Sequence, residues 1–138
     1  MNPVLRTFLA VVAGTIAAFT FAGIIESIGH QVYPPPKHLD LSDPAQLRTL
    51  IESLPLGALL FVLVAWIGAT FVGGVVGALL DRTRAVVVSA FVGGFVLAVT
   101  IATLVLIPHP AWMSISGVVG IVLAAVASGW LMSRRQSR

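Results

Sequence analysis

Long apolar runs separated by short polar gaps make up most of this chain. Residues 7–25, 54–80, 85–107 and 111–132 are free of Asp, Glu, Lys and Arg. A bilayer core of about 30 Å needs roughly 20 apolar residues in a helix. Each run has that length. Backbone groups surrounded by lipid must bond within their own segment, so the runs predict helices. A closed barrel would show alternating polarity, and these runs are apolar on every face. The pattern predicts an all-α integral membrane protein, one domain over residues 1–138 with four transmembrane helices at about 5–31, 54–80, 85–107 and 111–132. The first run is too long for the apolar core of a signal peptide and is read as the first span.

The widest polar gap lies between the first two spans. Tyr33-Pro34-Pro35-Pro36 cannot continue a helix, because proline lacks the donor N–H and restricts its predecessor. Asp43 and Pro44 then suit the N-cap and N1 positions of a new helix. Gln46 at N3 would complete a capping box. Leu47, Leu50, Ile51 and Leu54 fall on one stripe, with Gln46, Arg48, Thr49 and Glu52 elsewhere. The expectation is a short amphipathic helix over 44–53, lying on the outer leaflet or over the bundle.

Small residues recur every four positions in each span. The runs are Ala10, Gly14, Ala18 and Ala22; Ala69, Gly73 and Gly77; Ala90, Gly94, Ala98 and Ala102; and Gly120, Ala124 and Ser128. Small-xxx-small ladders let helices approach closely in lipid. A four-residue ladder drifts about 40° per step on a straight helix, so each implies a crossing. Four helices offer few faces to hide four ladders, which favours an oligomer. A weak internal match adds a second pattern. An offset of 79 residues aligns Gly14 with Gly93, His30 with His109, and Tyr33 with Trp112. An offset of 52 aligns Gly77, Leu79 and Arg82 with Gly129, Leu131 and Arg134. These offsets suggest two helical hairpins in parallel orientation.

Composition supports the membrane reading and narrows the chemistry. The chain is 58% hydrophobic and 9% charged, against roughly 25% charged in an average soluble domain. So few charges exclude a soluble enzyme, a disordered tail and a nucleic-acid-binding domain. Arg6, Arg82, Arg84, Arg134, Arg135 and Arg138 fall on one side, and Lys37 and Arg48 on the other. By the positive-inside rule both termini face the cytoplasm, as expected in a bacterial inner membrane. Tyr33 and Trp112 then mark the outer aromatic belt and Trp130 the inner one. Trp66 sits mid-span, as a core residue or a ligand contact. With no cysteine there is no disulfide and no thiolate site.

Glu26 is the one carboxylate inside an apolar run, and His30 follows at i+4 on the same helical face. Ionisable groups in membrane segments are functional candidates. Nineteen uncharged residues precede Glu26 from Thr7, which places it about 28 Å along the helix and near the outer boundary. His109, between Pro108 and Pro110, falls just past the third span. Glu26, His30 and His109 are therefore the candidate proton or ion site, or a mixed nitrogen and oxygen metal site. The plain alternative is an intrahelical Glu26–His30 pair and a turn histidine bonded to backbone. His38 is expected in solvent. No residues suggest a catalytic centre, a cofactor site or a phosphate loop.

Two family likenesses attach to these residues. IIESIGH, with a glutamate in the first of four helices, superficially resembles the small multidrug resistance exporters, in which such a glutamate couples drug and proton exchange. The chain departs from them in its long outer loop, its extra surface helix and the late position of its glutamate. GHQVYPPP, the D-x-x-DP loop, the glycine-rich second span and IPHPAW resemble small uncharacterised bacterial inner-membrane proteins. That likeness implies fold and location only. The function expected from the sequence is non-enzymatic: a membrane protein that self-associates or serves a membrane complex as an accessory subunit. Its partners would be the bilayer, copies of itself or other membrane subunits. The alternative is a small proton-coupled transporter using Glu26 and His30.

Overall fold

The structure is a computed structural model and describes residues 1–38, 40 and 42–135. Arg138, counted above among the inner-side arginines, lies outside the described residues. The elements run α1 (Pro3–Val32), α2 (Pro44–Ser53), α3 (Leu56–Leu80), a single 3₁₀ turn (Arg82–Arg84), α4 (Ala85–Leu106) and α5 (Ala111–Arg134). Four of these helices are long and apolar enough to cross a membrane. The molecule is an all-α, multi-pass membrane protein.

Proline and capping chemistry set the helix ends. Asn2 caps α1 by accepting from the Val4 N–H at 2.9 Å, with Pro3 in the first turn. The helix closes at Tyr33, whose N–H reaches the Gly29 carbonyl at 2.8 Å before the three prolines. Pro55 precedes α3, and Pro110 precedes α5. Asp43 caps α2, accepting from the Ala45 N–H at 2.9 Å. The reciprocal half of the expected capping box is absent: Gln46 Oε1 accepts instead from the Asp40 N–H at 3.1 Å. Gln46 thus pins the preceding loop to the helix, and the Asp43 N–H is taken by the Asp40 carbonyl at 3.2 Å.

α3 is the central post and packs on α1, α4 and α5. In its most apolar stretch 44% of positions are buried, against 17% in α1, which makes α1 a peripheral strap. Where α1 crosses α3 the backbones nearly touch. A Cβ built at Gly14 would lie 2.6 Å from the Gly73 carbonyl oxygen and 3.1 Å from the Gly77 Cα. One built at Gly73 would lie 2.7 Å from the Ala18 Cβ. Without a hydrophobic drive between helices in lipid, such close van der Waals contact is what holds a strap to its post. The core continues outward through Val88, Val92, Val96, Trp66, Met113 and Ile121.

The two hairpins α1–α3 and α4–α5 share one feature of the proposed repeat. Gly14 meets Gly73, and at the two sequence offsets Gly93 meets Ala125, 2.5 Å from a built Cβ. The relation stops there. α3 packs along α4, whereas α1 makes no comparable contact with α5. α1 swings toward α4 instead, and that displacement opens the space described next.

Candidate functional site

α1 and α4 are tight in one half and apart in the other. A Cβ at Gly14 would lie 2.9 Å from Val92 Cγ2. Beyond this point toward the α2 end of the bundle, the helices enclose a cleft of about 420 Å³ with α3 as its floor. α1 contributes Glu26, α3 contributes Trp66, α4 contributes Thr100 and Thr103, and the α4–α5 turn contributes His109. Phe19 and Val99 also line it and are exposed, so the cleft opens sideways toward lipid.

The polar groups here are sparse and mostly unspent. Glu26 is half-buried and has no ion pair or hydrogen bond among the described residues. Thr100 is 3% exposed, and its hydroxyl has no partner among the described residues. The residue is buried but this oxygen is not itself enclosed, so it faces the open space of the cleft. His109 is fixed more firmly. Its Nδ1 lies 2.8 Å from the Ile107 carbonyl oxygen, which can only accept, so Nδ1 carries the proton and Nε2 of the neutral ring is left as an acceptor. The ring also packs against Trp66, centroids 5.8 Å apart and planes at 59°. Trp66 is a core residue and a wall of the cleft at once.

A second space of about 260 Å³ lies beneath α2. Leu47, Leu50, Ile51 and Leu54 line it from above and are the only half-buried residues of their segment between Pro44 and Leu54. α2 therefore sits over the end of α1 and the start of α3 as a loosely seated lid, with no fully buried residue. Tyr33 closes one side, its ring 6.1 Å from Phe61 in an edge-on arrangement and its hydroxyl against Gly57. Trp112 is exposed at the same end.

The three sequence candidates part company in this geometry. Glu26 and His109 line the sideways cleft, whereas His30 is exposed and lines only the space beneath the lid, which Glu26 also reaches, so the two histidines are the pair that do not meet. Glu26 and His30 form no ion pair, although they share a helical face. No group of three His, Cys, Asp or Glu among the described residues is placed to hold a metal ion. His38 is exposed in the loop.

The opposite end holds a cluster that a residue-by-residue reading passes over. Asp81 is 0% exposed. Its carboxylate accepts from Thr7 Oγ1 at 2.6 Å and Thr83 Oγ1 at 2.8 Å, and pairs with Arg6 Nη2 at 2.8 Å. Arg6 Nη2 also donates to Thr83 Oγ1 at 2.5 Å. The Thr7 hydrogen bond leads in holding Asp81 below the usual carboxylate range, helped by Thr83 and Arg6 and opposed by burial. The sequence does contain a signal for this. Arg6-Thr7 opens the first span, Asp81 closes the second, and antiparallel neighbours of similar length bring those ends together.

No family model, curated protein or solved structure matches the chain.

Proposed function

We propose that this protein is a non-enzymatic membrane protein that associates with further copies of itself through the lipid-facing side of α4. The observation that supports it is the stripe Ala90, Gly94, Ala98 and Ala102. All four residues are exposed, and a Cβ at Gly94 would meet nothing within 4 Å. The other three ladders each face a helix of the same molecule. Gly14 faces α3, Gly73 and Gly77 face α1, and Ser128 faces Gly74. On α4 the equivalent surface is a groove of about 350 Å³ flanked by Phe91 and Phe95. Ridges of aromatic side chains around a floor of small residues suit the close approach of another helix in lipid. A second copy carries the same groove, and a two-fold pairing of identical faces closes on itself.

The reading places the protein in a bacterial inner membrane with both termini in the cytoplasm. Its support is the clustering of arginines at one end of the bundle and the resemblance noted for GHQVYPPP and IPHPAW.

The test is the size of the protein in lipid nanodiscs or mild detergent, by crosslinking and mass photometry. Wild type is expected as a dimer or larger. Gly94→Leu is expected to be monomeric with unchanged thermal unfolding, because a Cβ there meets nothing within 4 Å. A strictly monomeric wild type with no co-purifying partner overturns the proposal. Capture of a different membrane protein, lost in Gly94→Leu, would move the reading to an accessory subunit.

A further inference from the structure

The sideways cleft and the space beneath α2 share two lining residues, Glu26 and Val62. Glu26 therefore stands where the two spaces adjoin. No lysine or arginine lines either one. An unpaired carboxylate in surroundings poorer in water than the bulk recruits a cation, because a neighbouring opposite charge offsets its desolvation. The other polar groups on the cleft walls suit the same guest. The Thr100 hydroxyl is unpartnered, and the neutral His109 ring, with Nδ1 held by the Ile107 carbonyl, offers Nε2 as an acceptor. Trp66 adds an aromatic ring of the kind that attracts ammonium groups. A metal ion is a poor match, since no three ligating side chains are gathered. An anion has no positive partner here. The remaining walls are hydrocarbon: Phe19, Val96 and Val99 along the opening, with Leu50 and Phe61 beneath the lid.

We infer that these spaces form a binding site for an ammonium-headed amphiphile that enters sideways from the bilayer. The ammonium sits at Glu26, and its N–H groups can donate to the carboxylate and to the acceptors on the cleft wall. The apolar tail lies in the cleft between α1 and α4. α2 covers the head end from the outer face. The inference does not depend on self-association, since the Ala90–Gly94–Ala98 groove is a separate surface of α4. The same chemistry can be supplied by a bilayer aminophospholipid or by a free long-chain amine.

Native mass spectrometry from neutral detergent tests this with defined probes. These are phosphatidylethanolamine against phosphatidylglycerol, and dodecylammonium against dodecanol. The wild type is expected to retain the ammonium member of at least one pair in preference to its control. Glu26→Gln should weaken that binding roughly tenfold or more, the scale of a lost charge-assisted hydrogen bond. Gly23→Leu is the second variant. Gly23 lines the cleft, and a Cβ there meets nothing within 4 Å, so the leucine fills the site without disturbing a helix contact. It should weaken binding while leaving the melting temperature unchanged or higher. Selection of phosphatidylethanolamine identifies the lipid as the source, and selection of dodecylammonium alone identifies a free amine. Either result supports the site. Binding that is equal in wild type and Glu26→Gln, or unaffected by Gly23→Leu, overturns it.

Discussion

Two carboxylates illustrate how environment divides residues of one chemical type. Asp81 is enclosed by Thr7, Thr83 and Arg6, so every strong interaction of its charge is used within the fold. Glu26 has none of these and faces open space. The first is an anchor, joining the start of α1 to the turn after α3. The second is available to a ligand. Asp81→Asn keeps the shape but loses the charge that three donors are arranged to meet. The Arg6 side chain is 37% exposed, so the pair falls between a surface bridge and a buried one. The expected loss is on the order of 1–3 kcal/mol, read as a lower melting temperature in detergent. The pH dependence follows from the direction of the shift. Asp81 titrates below its usual 3.8 in the folded protein, so its contribution is complete above that value. It is lost only as pH falls further, through the folded-state value. The gap between wild type and Asp81→Asn should therefore be constant through neutral pH and close only below 3.8. A gap that closes near pH 6 would assign the stability to another group.

At the scale of elements, small residues do different work on different helices. The α1–α3 crossing depends on Gly14 and Gly73, whereas the α4 stripe is exposed and a Cβ at its Gly94 meets nothing within 4 Å. The sequence presents both as the same four-residue ladder. Periodicity specifies which residues share a face but not which helix meets that face. Gly73→Ala separates the two cases. Its methyl group would press on Gly14 oxygen and Ala18 Cβ, so the backbones must part. Overpacking of this kind costs about 1–3 kcal/mol, to be read as an unfolding shift in detergent. Gly94→Ala should show no loss, since its methyl enters open space and alanine favours the helix. Equal effects at the two positions would contradict the packing described. α2 shows the opposite balance. Its stripe of Leu47, Leu50, Ile51 and Leu54 was legible from spacing alone, because an amphipathic helix has one face to bury. The seat it found, above Tyr33 and Phe61, was not legible.

For the whole molecule, charge placement and shape meet in the topology. Arg6 contacts Asp81 and Thr83, Arg84 lies beside Val4 and Thr7, and α5 ends against the Arg82–Arg84 turn. Arg134 follows on that helix, with its guanidinium 3.9 Å over the Trp130 ring. Lys37 and Arg48 belong to the segment at the other end. The chain contains no cysteine, so single cysteines can report sidedness without background. Lys37→Cys should react with a membrane-impermeant maleimide in intact cells, and Arg84→Cys should react only after lysis. The reverse pattern would invert the molecule and place the cleft near the cytoplasm.

The sequence by itself determined the four apolar helices, the proline-bounded loop and the amphipathic helix within it. Each of these follows from local rules: run length, missing donors and helical spacing. It also singled out Glu26, because a carboxylate in an apolar run is conspicuous in one dimension. Only the tertiary structure decided which groups share a space with it. His109 and Trp66 line its cleft, while His30, four residues away on the same helix, meets it only in the space beneath α2. The cause is the tilt of α1, tight against α3 and α4 at Gly14 and apart from α4 beyond it. Such a tilt is set by contacts between distant segments, and no local pattern records it. Asp81 differs for the same reason: beside Arg82 it reads as an edge charge, and only the docking of α1 encloses it.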